Sequence, residues 1–322
     1  MTDLVCCGAI NWDINLFVEK LPRTGEEVPV KEIQRVSGGT AANVAVAASR
    51  LLGPGKVSFI GALGVDQIAE RQTTILQEEG VDDSGILRLN DDESGQAYIS
   101  IASDGSNEIH TYFGANLRLT GESMSDPERL TLIRSAKVCV IMDPPLEAAE
   151  ALANLCKEHE VTVIWDPGVY AVRGLEQLTP VLKNTDYFVL NELEYNSLLG
   201  TSDPKEVCEK LHTVTKNVKA IIKRGSEGCT MCLDEYGERI DIDAVPLEKL
   251  GLEVVNTVGC GDAFIGAFAA GKVEGLTHVE ALRMAVAAGG FKATKKETRG
   301  SPTRDELNNL LTRWRGLSSQ RQ

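Results

Sequence analysis

Short runs rich in Val and Ile alternate with longer amphipathic segments along most of this chain, and that alternation restricts the fold more than any other feature. The runs are Leu4–Ile10, Val57–Ile60, Val138–Met142, Val161–Trp165, Tyr187–Leu190 and Ala220–Ile222, bounded by Gly, Asp or Pro. A strand covered on both faces has no polar alternation, so such runs predict parallel strands inside a buried sheet. Between them, Ala41–Leu52, Gln67–Glu79, Leu146–His159, Pro204–Val214, Asp262–Gly271 and Val279–Ala293 read as helices. Strand and helix in turn give an α/β fold, a three-layer α/β/α sandwich around a mainly parallel central sheet. Asp305–Gly316 reads as a terminal helix and the closing SSQRQ as a frayed end.

Two segments break the rhythm. Asn15–Val36 is strand-like with turn residues at Pro22 and Gly25, and QAYISIASDGSNEIHTYF (Gln96–Phe113) alternates around Asp104–Gly105 as a hairpin would. Together they predict a small β lid outside the main sheet. The expected division is a core of residues 1–12, 37–95 and 117–322 and a lid of residues 13–36 and 96–116. A chain of 322 residues suits one large domain with such an appendage.

The net charge of −14 argues against a nucleic-acid or anionic-membrane partner, since neither is attracted by that mean field. Any phosphate ligand then has to be held by local devices. The eight cysteines are scattered and several sit in apolar runs, which favours buried free thiols over disulfides. The opening MTDLVCCGAINWD has no basic region followed by a long apolar run, and no stretch has the length of a membrane span, so a cytoplasmic protein is expected.

For chemistry, the most informative stretch is NTVGCGDAFIGAFAAG, Asn256–Gly271. Gly259 and Gly261 mark a tight turn leading straight into an apolar helix, and glycine lets the backbone approach a ligand closely. The first N–H groups of a helix lack internal partners, and the helix dipole adds partial positive charge there. A phosphate fits such a pocket. Asp262 then stands beside it, placed to take a proton from an attacking hydroxyl. Taken by itself, an aspartate at that point reads first as an N-cap.

Several motifs, in order, resemble the ribokinase-like carbohydrate kinases, the PfkB family. They are GAINWD (Gly8–Asp13), SGGTAANVAVAASRLLG (Ser37–Gly53), YFGAN (Tyr112–Asn116), DPPLEAAEAL, WDPG, LNELEYNSLLG, KRGSEG, NTVGCGDAFIGAF and RGSPTRDEL. The resemblance covers nearly the whole chain. It implies an ATP-dependent, Mg2+-requiring kinase acting on a hydroxyl of a sugar: a ribose-like pentose, a hexose or a sugar acid. Asp262 would be the base, and the backbone of Gly259, Cys260 and Gly261 the anion hole; Cys260 replaces the usual Ala.

On the acceptor side the resemblance assigns Asn11, Asp13, Gly38, Gly39, Thr40, Asn43 and Asp143. The family often has Glu where Asp143 stands. Thr40 replaces the Lys typical of ribokinases proper, which leaves nucleosides, other pentoses and sugar acids open. Asn191 and Glu194 match its Asn-x-x-Glu pattern, which orders Mg2+ and its waters; as bare residues they also read as an N-cap and a capping carboxylate. Lys223, Gly225, Ser226 and Gly228 resemble the nucleotide-binding loop, with Lys223 where a small hydroxyl residue is frequent. Asn256 stands where Asp is common beside the phosphates and a monovalent cation, so altered cation handling is expected. Nucleoside kinase is the alternative within the family, and a non-catalytic sugar- or nucleotide-binding relative the alternative outside it. Lid sheets of this family sometimes pair between subunits, so a homodimer through the lid is a further expectation.

Other signals lead nowhere. Cys229 and Cys232 lie three apart on a strand and should face opposite sides, and no second cysteine pair has zinc spacing. The four histidines have no ligand spacing. No Walker loop, protein-kinase signature or dinucleotide fingerprint is present.

Overall fold

The computed structural model describes residues 2–201, 203–214, 218–233 and 238–319. Among these, nine strands form the central sheet in the order Arg239–Ile242, Cys229–Cys232, Lys219–Lys223, Tyr187–Leu190, Thr162–Asp166, Val138–Met142, Leu4–Gly8, Val57–Ile60, Val81–Asp82. From Lys219–Lys223 onward all neighbours pair in parallel, while the first two strands extend the sheet antiparallel. Every residue of Leu4–Gly8, Val57–Ile60, Val138–Met142 and Tyr187–Leu190 is buried, as unbroken apolar runs require.

Successive side chains of a strand point to opposite faces, and the sheet accordingly divides two cores. Leu4 and Cys6 join one, with Ala45, Phe268 and Ala285 from the helices Thr40–Leu52, Cys260–Val273 and His278–Ala293. Val5 and Cys7 join the other, with Leu152, Leu178 and Val207 from Leu146–Glu158, Leu175–Leu182 and Pro204–Val214. On the first face, the Thr40–Leu52 and Cys260–Val273 helices meet backbone to backbone. A Cβ on Gly266 would lie 2.7 Å from the Ala47 Cβ and 2.9 Å from the Val44 carbonyl oxygen. Val44, Ala47 and Gly266 are buried at that crossing, and it sets the spacing of the site one helical turn away.

A second sheet runs Val30–Gly38, Asn11–Val18, Gly95–Ala102, Asn107–Tyr112. Its last two strands are the hairpin expected around Asp104–Gly105, with the Asp104 carboxylate accepting from the Ser106 N–H at 2.9 Å and Gly105 at φ 85°. The first core strand ends at Gly8, so Asn11 and Asp13 do not close it but open the Asn11–Val18 strand of the second sheet. Short strands Ala62–Gly64 and Leu87–Leu89 form a further parallel pair.

Two sequence expectations need correction. Cys208 and Cys232 are not free thiols: the Pro204–Val214 helix packs on the second face of the sheet and brings their Cα atoms to 5.6 Å, and they form a disulfide. Their 24-residue separation spans two elements, so no local pattern announces the pairing. Cys6, Cys7, Cys139, Cys156 and Cys229 are buried and free, and Cys260 is half-buried. Cys229 and Cys232 do face opposite cores, as strand geometry demands. The second correction concerns Asp262, which is no N-cap. The helix begins at Cys260 with Gly259 as its cap residue, and Asp262 lies within the first turn. The terminal helix runs Arg304–Ser319, and residues 320–322 of the expected frayed end lie outside the described residues. Among the described residues no helix is long and apolar enough to cross a membrane.

Candidate active site

Gly259 reaches a left-handed φ of 84°, and a Cβ there would lie 2.3 Å from the Thr298 carbonyl oxygen, so only glycine fits this turn. The Cys260 N–H turns back to the Thr257 carbonyl at 3.2 Å. Of the expected anion-hole donors, the amides of Gly259 and Gly261 are therefore the ones with no backbone partner among the described residues. The Asp262 carboxylate leaves the helix toward the neighbouring Thr40–Leu52 helix and accepts from Asn43 Nδ2 at 2.8 Å. Burial pushes Asp262 up to about 6, against the pull of the Asn43 hydrogen bond and of Lys223 and Arg299. A carboxyl so placed exchanges protons near neutrality.

The acceptor-side residues converge from both sheets. Gly39, at φ 91°, packs against the chain at Ile10–Asn11, where a Cβ would lie 2.5 Å from the Ile10 Cα. Gly38 lies against Asp13, whose Oδ2 would be 2.1 Å from an added Cβ. Asn11 Oδ1 accepts from Asn116 Nδ2 at 2.9 Å, and Asn116 also braces both backbone polar groups of Ile10. Asp143, at φ 58°, spends its oxygens on the Thr40 hydroxyl at 2.8 Å and the Val169 N–H at 2.9 Å. Burial raises Asp13 to about 7, with Arg299 pulling it down and Asp262 pushing it up, and burial raises Asp143 to about 6.

Lys223, expected in the nucleotide-binding loop, is largely buried and paired with an acid. Its side chain is 15% exposed and its Nζ lies 2.7 Å from Asp166 Oδ2. Burial alone would lower its pKa; the charges of Asp166 and Glu194 reverse that and leave it raised. The same Nζ is 3.5 Å from where a Cβ on Gly261 would stand, which sets an ammonium beside the anion turn. Asn191 and Glu194 form a reciprocal capping box at the start of the Glu192–Leu199 helix, Glu194 N–H to Asn191 Oδ1 at 3.0 Å and Asn191 N–H to Glu194 Oε2 at 2.7 Å. Burial, then the nearby Asp166, push Glu194 to about 8.

A cleft of about 580 Å³ opens on the other side of the turn. Lys223, Gly225, Ser226, Gly228 and Gly261 wall its polar end, and Val245, Leu247 and Val286 its apolar end. Gly225 and Gly228 take φ of 53° and 95°, as the strand-to-loop turn demands. Asn256 is not among these walls. Its amide braces the turn, donating to the Lys296 carbonyl at 2.8 Å and accepting from the Val258 N–H at 3.0 Å, while buried Lys292 donates to its carbonyl at 2.9 Å.

Sequence reasoning passed over three residues that the structure gathers here: Asn116, Asp166 and Arg299. Each lay inside a quoted motif (YFGAN, WDPG, RGSPTRDEL), but none had a local pattern to mark it. Their partners are far along the chain.

A cleft of nucleotide size, a helix start with free amides and an ionisable carboxyl among polar side chains suit one chemistry in common, the delivery of a phosphoryl group to an alcohol; the class is phosphotransferase. The pattern of the pfkB family carbohydrate kinases matches residues 1–304, and the chain belongs to that family. It is similar to the ribokinase of Arabidopsis thaliana, 33% identical over 297 residues, 88% of this chain and 74% of that protein. The ribokinase of Haemophilus influenzae is 28% identical over 311 residues, 96% of this chain and 98% of that protein. The solved structure of Arabidopsis thaliana ribokinase complexed with ribose and ATP superposes with a TM-score of 0.86 at 29% identity, covering 97% of this chain and 99% of that one. The chain is an ATP-dependent kinase acting on a sugar hydroxyl.

Proposed function

We propose that Asp262 is the general base of this kinase and that the turn at Gly259–Gly261 receives the phosphoryl group in flight. The observation that carries the reading is the position of the Asp262 carboxylate, held by Asn43 at 2.8 Å between the acceptor pocket and the mouth of the nucleotide cleft. Phosphoryl transfer asks little covalent chemistry of a protein; alignment and charge stabilisation do most of it. The amides of Gly259 and Gly261 and the Lys223 ammonium supply fixed positive ends at that point. Asn11, Asp13, Gly38, Gly39, Thr40, Asn43 and Asp143 form the acceptor pocket, Asp143 chiefly by fixing Thr40. The loop Lys223–Gly228 holds the nucleotide.

Asn191 and Glu194 fit a hydrated Mg2+. The charge of Asp166 helps raise the Glu194 carboxyl, so a cation beside the two would relieve their repulsion, while Lys223 pairs with Asp166 and Asn191 donates to both Glu194 oxygens. That donor set suits an ion that keeps several waters and shares substrate phosphates. When bound, the ion neutralises charge on those phosphates. A monovalent cation has weaker support, because Asn256 carries no charge and its amide is committed to the backbone.

The second sheet acts as the lid. Its Asp13-bearing face also carries Phe17, Ile99 and Ile109, an apolar surface suited to shutting water out of the acceptor pocket. The opposite face exposes Ile33 (47%), Tyr98 (41%) and Tyr112 (47%), which supports pairing of lids in a homodimer. Consumption of a nucleoside triphosphate supports a cytoplasmic site of action.

The acceptor is ribose-like pentose, hexose or sugar acid, and the test is an acceptor panel. ATP consumption is measured with ribose, fructose, 2-keto-3-deoxygluconate, adenosine, cytidine and inosine. Turnover with a sugar or sugar acid is the expected result. Preference for a nucleoside would move the chain to the nucleoside branch, and no turnover with any acceptor would favour a binding protein.

A further inference from the structure

Arg299, Asn43 and Asp262 form a relay. Arg299 Nε donates to Asn43 Oδ1 at 2.7 Å, and Asn43 Nδ2 donates to Asp262 Oδ2 at 2.8 Å. A guanidinium has donors only, so it dictates which end of the amide faces it. With Oδ1 held by Arg299, the amide must present its NH2 to the carboxylate. The same guanidinium donates through Nη2 to the Gly38 carbonyl at 2.9 Å, the last residue of the second sheet's Val30–Gly38 strand. Its Nη1 is buried with no hydrogen-bond partner among the described residues.

The backbone around Arg299 is clamped. Arg50 Nη1 donates to the carbonyls of Arg299 and Ser301 at 2.7 and 2.8 Å, and Glu79 holds Arg50 from the other side at 2.5 and 2.8 Å. The preceding carbonyl, of Thr298, is the atom that a Cβ on Gly259 would strike. One short segment therefore touches the anion turn, the partner of the base and the strand that ends beside Asp13.

We infer that Arg299 is a positioning residue: it fixes the Asn43 amide, and through it the Asp262 carboxylate, relative to the second-sheet strand ending at Gly38. The inference rests on Asp262 being the base. It separates from a packing role in what it does to proton affinity. The cations facing Asp262 are Lys223, Lys292 and Arg299; the acids are Asp13, Asp143 and Asp166, with the Cys260 thiol alongside. Burial raises Asp262, while the Asn43 hydrogen bond and the Arg299 charge lower it. Loss of Arg299 removes one of those pulls directly and frees the amide that supplies the other.

The experiment measures kcat and KM against pH with ATP and the best sugar of the panel, ribose first, on the full chain. The proteins are the parent, Arg299→Met, Arg299→Lys, Asn43→Ala and the double variant Arg299→Met/Asn43→Ala. Arg299→Met should lose on the order of 10²-fold in kcat, the cost of misplacing a catalytic group by about 1 Å. Its acid limb should move to higher pH, its KM for ATP should stay near the parent value, and the double variant should be no worse than the poorer single one. Arg299→Lys keeps the charge without the fork, so it should fall between parent and Met in both kcat and limb; it carries the test if Arg299→Met does not fold. A parental acid limb in either Arg299 variant, or losses that multiply in the double variant, would overturn the inference. Retained turnover in Asp262→Asn would instead remove the base itself, whatever Arg299 does.

Discussion

Asp262→Asn is predicted to abolish turnover while making the protein more stable. The change is isosteric, and the amide oxygen can still accept from Asn43 Nδ2, 2.8 Å away in the parent. What is lost is the proton acceptor. A general base contributes roughly 10²–10⁴ in rate, so kcat should fall by that factor, about 3–5 kcal/mol of barrier. The stability sign comes from the same carboxyl. Its pKa rises from 3.8 to about 6 on folding. Between those values the folded state binds more protons than the unfolded chain, so stability falls as pH rises through that window. Above about 6 the penalty is complete, and the shift corresponds to about 3 kcal/mol at neutral pH. A neutral amide does not incur it. Coupled ATP-consumption kinetics and urea unfolding at pH 7, repeated at about pH 4, read both effects. The variant should be the more stable protein at pH 7 and nearly indistinguishable at the acid end. Turnover within tenfold of the parent would refute the base, and a lower urea midpoint at pH 7 would refute the electrostatic account of the site.

Three further outcomes follow from particular contacts. Gly259→Ala forces a Cβ toward the Thr298 carbonyl oxygen at 2.3 Å with φ at 84°; it should cost about 1–3 kcal/mol in urea unfolding and lower kcat, and a parent-like protein would count against the tight turn. Glu194→Gln keeps one of the two hydrogen bonds that Glu194 accepts from Asn191 and removes the carboxylate that a bound Mg2+ would hold ionised, so half-maximal activity should need more Mg2+; an identical magnesium titration would argue that Glu194 is only a cap. Reduction of the Cys208–Cys232 disulfide, which spans 24 residues, should lower stability by about 3 kcal/mol by the chain-entropy relation. Thiol labelling of the unfolded protein should find two more reactive cysteines after reductant than before; equal labelling would show the pair to be unlinked.

The layered fold was legible because its signal is local. The central strands are mostly apolar runs, and Val57–Ile60, Val138–Met142 and Tyr187–Leu190 keep the limits their composition implies. The helix carrying Asp262 was displaced, beginning at Cys260 instead, because Cys and Gly give no helical periodicity and only the left-handed Gly259 fixes the start. In the site, the glycine turn was visible through its spacing, while Asp262 stood out only through the resemblance of the whole motif, since by itself it reads as a cap. Arg299 and Asp166 were not, since their meaning lies in partners 256 and 57 residues away in sequence. Lys223 was visible but ambiguous: only the folded charge distribution around Asp166 decides that it is buried and paired. Asn256 looked like a ligand because of its place in a motif, yet two backbone groups claim its amide.

The contact of Gly266 with Ala47 reaches further than packing. Asp262 precedes the one by four residues and Asn43 the other by the same step, so the gap between carboxylate and amide is inherited from a crossing where no methyl group can be added. The two helices behave as a calliper whose jaw setting is locked at its pivot. The distance between the two side chains is thus referenced to the protein interior before any outer contact refines it.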